Sequence, residues 1–243
     1  MRYLHAVTMR EKFVASGVYT HYRDGEPTGT TEEWSIHQQP DGATFYRIDE
    51  DSRKADGGSV LVEAWQSPPE AGSRIERVDV SAFGPKGSEV LRVRSTYTVM
   101  DDFLEAGRTI DDADRQQVEI ELPFGYVIAP ENLIFAGYEV SHLALSSGKP
   151  GAVVSYLPTF LNPSLAFRPT VYEQIARFVD DVTIKVDGKS YLSRHYEQTN
   201  PLTSDVLTLW LDEHDVLLRY TSADGHYSAD LSQYSRRPEG KKS

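Results

Sequence analysis

Alternation of apolar and polar positions runs through most of this chain, and a period of two is the mark of a half-buried β-strand. Over residues 11–23, Phe13, Ala15, Gly17, Tyr19 and His21 share one face, and Val14, Ser16, Val18, Thr20 and Tyr22 share the other. Asp24-Gly25 predicts a tight turn, because glycine tolerates positive φ at no steric cost. The return strand, over 30–38, carries Trp34 and Ile36 on one face, and Pro40-Asp41-Gly42 turns the chain into a third strand over 43–49. The polar, glycine-containing stretch 53–59 reads as a loop. A strand over 60–66 is stopped by Ser67-Pro68-Pro69, since proline cannot donate to a ladder. Long strands over 73–83 and 89–100 flank a hairpin turn at Gly84-Pro85-Lys86-Gly87. The first half is therefore an antiparallel meander.

Residues 101–114 hold Asp101, Asp102, Glu105, Asp111, Asp112 and Asp114 and read as an acidic connector, followed by a strand over 116–122. The period then changes. Residues 122–145 form the longest apolar run, and within it Leu133, Ile134, Gly137, Val140, His142/Leu143 and Ala144 recur at steps of three and four, which predicts a helix. Pro130 suits a first helical turn and Glu131 complements the helix dipole. Ser146-Ser147-Gly148 ends the helix, and Pro150 cannot continue it. Beyond it, strands are expected over 152–157 and 166–178, with 172–179 also readable as a short helical turn. A hairpin over 181–186 and 191–198 surrounds Asp187-Gly188, and strands over 206–212, 216–220 and 226–234 complete the sheet. Residues 236–243 read as a basic, frayed tail.

The two halves follow the same order. Thr20 to Gly25 parallels Thr183 to Gly188, and Phe45 to Glu50 parallels Leu209 to Glu213. The expectation is a single all-β domain over 1–243 with one crossover helix. Repeat halves 11–100 and 151–235 are joined by the connector and helix of 101–150. Two repeated antiparallel sheets would form a curved half-barrel or sandwich, with the helix plugging the space between them. Two stretches carry a resemblance. One is 132–150, an amphipathic helix ending in a glycine–proline stop. The other is Leu207-Thr208-Leu209-Trp210-Leu211-Asp212 followed by Leu217-Leu218-Arg219-Tyr220. Together with the element order, they resemble the curved-sheet folds of the LolA/LolB lipoprotein carriers and related glycolipid-binding domains. The resemblance implies a concave apolar cavity. Lipoprotein transport is not carried over, because those carriers are secreted and the first residues here read as no signal peptide.

Composition narrows the partners. Hydrophobic residues make up 39%, enough to fill a core, and the formal net charge of −12 disfavours nucleic acid and anionic membrane surfaces. The absence of cysteine excludes disulfides, thiolate metal sites and cysteine nucleophiles. The start MRYLHAVTMREKF has no apolar stretch of signal-peptide length, and no window approaches a membrane span. A cytoplasmic protein without stable membrane insertion is expected.

Candidate chemistry is sparse. The seven histidines form neither HxH nor HExxH. Asp212-Glu213-His214-Asp215 reads as a solvated turn, so neither metal nor cofactor is expected. GxSxG, phosphate-loop and dinucleotide fingerprints are absent. Glu32, Glu33 and Asp49 on neighbouring strands read as outward carboxylates or as members of one pocket. His21 and His195, with Arg194 beside the latter, occupy matching positions of the halves. They read as cross-strand partners or as a pair meeting between the sheets. Tyrosine and tryptophan suit a cavity wall that is apolar but not dry. The candidate ligand-binding set is therefore Trp34, Tyr46, Trp65, Tyr97, Tyr126, Tyr138, Tyr156 and His195. The leading expectation is non-enzymatic binding of a lipophilic or glycolipid-like small molecule between the sheets. One rival is an acid–base enzyme using His195, His21 or Glu33. Another is an oligomeric interaction scaffold, a homodimer formed through an exposed sheet edge.

Overall fold

The computed structural model describes residues 1–55, 57–86 and 89–238. Its strands are β1 Lys12–Arg23, β2 Glu26–Gln38, β3 Thr44–Asp51, β4 Ser59–Gln66, β5 Ile75–Lys86, β6 Glu89–Val99, β7 Phe103–Ile110 and β8 Gln116–Glu121. After these come the short β9 Val127–Ile128 and the single α-helix among the described residues, α1 Ala136–Ala144. Then follow β10 Gly151–Tyr156, β11 Pro169–Val186, β12 Lys189–Thr199, β13 Val206–Leu211, β14 Leu217–Ser222 and β15 Tyr227–Arg236.

These strands form one 15-stranded curved sheet, in the order β8-β7-β6-β5-β4-β3-β2-β1-β15-β14-β13-β12-β11-β10-β9. The two meanders are continuous, because β1 pairs antiparallel with β15. β9 pairs parallel to β10, and every other pairing is antiparallel. The sheet curls enough to bring distant strands together. Tyr97 of β6 stacks on Tyr156 of β10 with ring centroids 5.4 Å apart. Arg108 of β7 donates to the backbone carbonyls of Ala166 (2.7 Å) and Ser164 (3.1 Å). Both matched hairpins turn as their sequences predict. Asp24 and Gly25 have φ of 53° and 82°, and Asp187 and Gly188 have 49° and 73°. Paired positive φ of this kind matches the right-handed twist of the flanking strands.

The expected acidic connector is mostly strand. Acidic residues flank β7, but Leu104, Ala106 and Arg108 within it alternate inward and are buried. The expected helix starts later and is shorter. Residues 127–129 are held extended by β10, including an Ala129 N–H to Val154 carbonyl bond of 3.0 Å, so Pro130 precedes the helix instead of opening it. A 3-10 turn over Leu133–Phe135 leads into α1. The stretches 166–178 and 181–186 are joined as the 18-residue β11, which absorbs a bulge between Phe178 and Asp180 and excludes the helical-turn reading of 172–179. Arg236 lies in β15, opposite Ala15, instead of in a frayed tail, and residues 239–243 lie outside the described residues. Gly87, the end of the expected Gly84–Gly87 turn, is also outside them, while Gly84, Pro85 and Lys86 belong to β5.

The outer face of β2–β4 is covered by the first residues of the chain. The Met1 ammonium pairs with Glu33 (2.7 Å), Arg2 with Asp49 (2.6 Å), His5 with Glu63 (2.5 Å) and Glu11 with Arg47 (2.7 Å). Arg47 and Glu63 are each 1% exposed beneath this cover. The inner face carries the core: Tyr19, Trp34, Ile48, Val62, Val80, Val93, Leu209 and Leu217, with α1 and its preceding turn seated upon it.

Candidate functional site

Cross-strand register builds the site. On β2, Glu32 is in phase with Trp34 and Ile36, so it points to the inner, apolar face. Its neighbours across the ladder are Tyr19 on β1 and Glu50 on β3. Two carboxyl groups directly opposite each other repel when both are ionised. The chain before α1 lies over them. Glu32 accepts the backbone N–H groups of Leu133 (3.1 Å) and Ile134 (3.2 Å), and Asn132 reaches both Glu32 and Glu50 at 3.4 Å. Asn132 is itself held by the Tyr156 hydroxyl, 3.1 Å from its Oδ1. Glu32 thus satisfies N–H groups of the helical entry that have no earlier carbonyl to bond.

Further along the helix, Glu139 lies one turn from Phe135 and one turn from Leu143, on the buried stripe. Its Oε1 accepts from Gln198 of β12. Glu131 accepts from the Tyr172 hydroxyl (3.3 Å). Between these groups and the sheet is a cavity of about 430 Å³. Its polar wall holds Glu32, Glu50, Glu131, Glu139, Tyr172 and Gln198. Val60, Leu207, Leu209 and Leu217 form the apolar wall, and His21 and Tyr220 also line it.

Burial governs the protonation of these groups, since it disfavours the charged form. The Glu32 carboxyl is pushed up to about 8, first by burial and then by Glu50, against the opposing pull of the Leu133 and Ile134 N–H groups. Glu139 is likewise pushed up to about 8 by burial and by Glu131, with Gln198 opposing. Glu50 and Glu131 are raised by burial too. His21 moves the other way, its basicity lowered by burial. At neutral pH Glu32 and Glu139 therefore hold their protons, beside a neutral imidazole and phenols. These groups can donate and accept hydrogen bonds and can exchange protons with an occupant. Among the described residues, no three or more His, Cys, Asp or Glu side chains group so as to hold a metal ion.

No protein-family model matches the chain, and no curated protein matches it. Among solved structures, the chain is similar to a beta-barrel-like protein of a domain of unknown function, DUF1849, from Brucella abortus. The TM-score is 0.54 at 9% identity, covering 93% of this chain and 99% of that one. The likeness is one of fold: a curved, mostly antiparallel sheet. It carries no link to lipoprotein carriers or to glycolipid binding. Among the described residues, no helix is long and apolar enough to cross a membrane.

The sequence-derived candidates are dispersed. Tyr156 lines the cavity. Trp34 is packed in the core against Tyr19, with Gly17 leaving room for its indole. Tyr46 and Tyr138 line a separate cleft on the other flank of α1, with Ser141, His142 and Asp215. Tyr97 is consumed by its stacking on Tyr156 and its hydroxyl bond to the Phe167 carbonyl. Trp65 is on the outer face between Phe45, His5 and Arg77. Tyr126 is half-buried in the approach to β9. His195 stacks on Trp210 and bonds Asp180 at 2.9 Å. His195 pairs with Trp210 while its neighbour Tyr196 pairs with the cavity-lining Leu209, so His195 and His21 face opposite sides of the sheet and do not meet. Glu33 and Asp49 are cross-strand partners on the outer face, and each is paired to the covering segment. Glu32 alone of that trio turns inward, because adjacent strand residues point to opposite faces.

Glu50, Glu131, Glu139 and Gln198 were not among the sequence candidates. Two signals for this set were present. Glu139 stands in the apolar stripe of the helix, and Glu32 stands in phase with Trp34 and Ile36. A carboxyl group on an apolar face is the informative exception to burial rules.

Proposed function

We propose that this protein binds a small amphipathic molecule, without chemistry, in the cavity beneath α1. The apolar part of the ligand lies against Leu207, Leu209 and Leu217, and its polar part against Glu50, Glu131 and Glu139. The observation that carries this reading is the division of one cavity into an apolar sheet wall and a wall of carboxyl groups, in which Glu32 and Glu139 are buried, Glu50 is half-buried and Glu131 is at the exposed edge. Its volume of about 430 Å³ falls within the range of small-molecule sites. The lipophilic or glycolipid-like ligand expected from the sequence is narrowed to one with a distinct polar end.

Native mass spectrometry of the chain purified from its own host tests this, beside a Leu207→Trp variant that fills the apolar wall. A co-purifying small molecule, lost in the variant, is the expected result. A clean ligand-free mass, together with no thermal shift from a panel of amphiphiles, would refute it.

The raised carboxyl pKa values favour a second reading, in which the same cavity is catalytic. A protonated Glu139 is suited to general-acid work near neutral pH. Turnover of a cavity ligand, lost in Glu139→Gln with binding retained, would establish that reading. Release of the ligand unchanged excludes it.

A further inference from the structure

Resting on the binding reading above, the polar end of the ligand can be assigned a charge. Glu32, Glu50, Glu131 and Glu139 all line the cavity, and among the described residues no lysine or arginine lines it with them. Most buried acids elsewhere among the described residues have a cation at hand: Asp49 has Arg2, Asp79 has Arg77, and Glu63 has Arg47. Glu32 has both oxygens occupied by backbone N–H groups and is accounted for by the seating of the helix. Glu139 is not. It is 9% exposed, and Gln198 occupies one oxygen. The other oxygen has no hydrogen-bond partner among the described residues, although the side chain lines the cavity. Its acidic neighbour is Glu131, which accepts from the phenol of Tyr172.

We propose that the ligand is an organic cation, a primary ammonium on a short apolar body, with its N–H groups directed at Glu139, Glu131 and Glu50. An ammonium has three donors and no acceptor, so it matches acceptor-only carboxylates. An anion would find no lysine or arginine to pair with among the described lining residues. A neutral hydroxyl can pair with the protonated carboxyls but gains no ion pair with them, whereas an ammonium does once they ionise. On binding, each carboxyl that pairs with the ammonium releases its proton to solvent. No bond is made or broken in the ligand.

Isothermal titration of the full chain with hexylammonium, hexanol, hexanoate and hexyl glucoside, near pH 7, tests this. Hexylammonium should bind at least about tenfold more tightly than the others, with a heat that varies with buffer ionisation enthalpy because protons are released. Glu139→Gln keeps the shape and the Gln198 bond, and should weaken the ammonium about tenfold while leaving hexanol unaffected. Glu131→Gln serves if the first variant does not fold. Hexyl glucoside or hexanol binding as tightly as hexylammonium would overturn the cation assignment and leave the cavity reading standing. Equal ammonium affinity in the wild type and the Gln variant would overturn it too, by marking the binding as diffuse attraction to an acidic surface. No binding by any of the four would refute the cavity reading itself.

Discussion

A strand residue has only two directions to point, and at Glu32 that choice places a carboxyl group among apolar side chains. The energetic consequence is measurable as a pH dependence. The ordinary carboxyl value of 4.5 applies to Glu139 in the unfolded chain, and the folded value is about 8. Below pH 4.5 both states hold the proton. Between 4.5 and 8 the unfolded chain releases it while the folded chain retains it, so stability falls as pH rises through that window. The free energy of urea unfolding measured from pH 5 to 8 should therefore decline, by an amount on the order of a few kcal/mol. Glu139→Gln should flatten the decline, and an unchanged slope in that variant would disprove this assignment. Glu32 has a second role that glutamine cannot fill, because its two oxygens accept two backbone donors. Glu32→Ala should cost on the order of 1–3 kcal/mol in urea unfolding, the penalty for buried N–H groups left without an acceptor. Part of this site was legible in the sequence: a carboxyl in phase with Trp34 and Ile36, and another one turn from Phe135 and Leu143. The aromatic candidates were less informative, because tyrosine and tryptophan serve a packed core as readily as a cavity wall. Trp34 and Tyr97 are of the packed kind.

At the level of elements, the helix is the part on which the site depends. It is only nine residues long, a length at which a helix is marginal in water, so it is held by what it touches. Glu32 occupies its entry, Gln198 bonds Glu139, and the Ser141 hydroxyl donates to Asp215 at 2.5 Å. Gly137 faces the backbone carbonyl of Asp215 so closely that a Cβ there would overlap the oxygen. Gly137→Ala should displace the helix at a cost of about 1–3 kcal/mol, as overpacking does, and should weaken ligand binding in the same measurement. A variant as stable as the parent would show that the helix is not seated so tightly. The helical period of 133–144 was readable, and its starting point was not. Pro130 and Glu131 are good first-turn residues. However, β10, contributed by residues 151–156, captures 127–129 as a parallel strand and postpones the helix. Nothing local to Pro130 reports a partner more than twenty positions away.

For the whole molecule, the decisive event is the pairing of β1 with β15, which converts two meanders into one curled sheet. The segment Met1 to Glu11 then covers the outer face with ion pairs, and Arg47 stands beneath it between Glu11 and Glu63. Arg47→Ala would leave those carboxylates buried without their cation and should cost about 3–5 kcal/mol. Chemical unfolding would reveal this directly, and a loss below about 1 kcal/mol would mean the pairing is solvated.

What the chain determined by itself was local. Its period-two alternation specified strands, its Asp-Gly pairs specified hairpins with two positive φ angles, and its one apolar run of helical period specified where the sheet would be filled. Those properties depend on steric and hydrophobic preferences of residues close in sequence. Tertiary structure decided which strands meet, that two meanders share one sheet, and that Glu32, Glu50, Glu131 and Glu139 surround one cavity. Those carboxyl groups come from β2, β3, the helical entry and α1. Glu32 and Glu50 meet through the β2–β3 pairing, and the curl of the sheet, the summed twist of its strands, brings the segment of Glu131 and Glu139 against them.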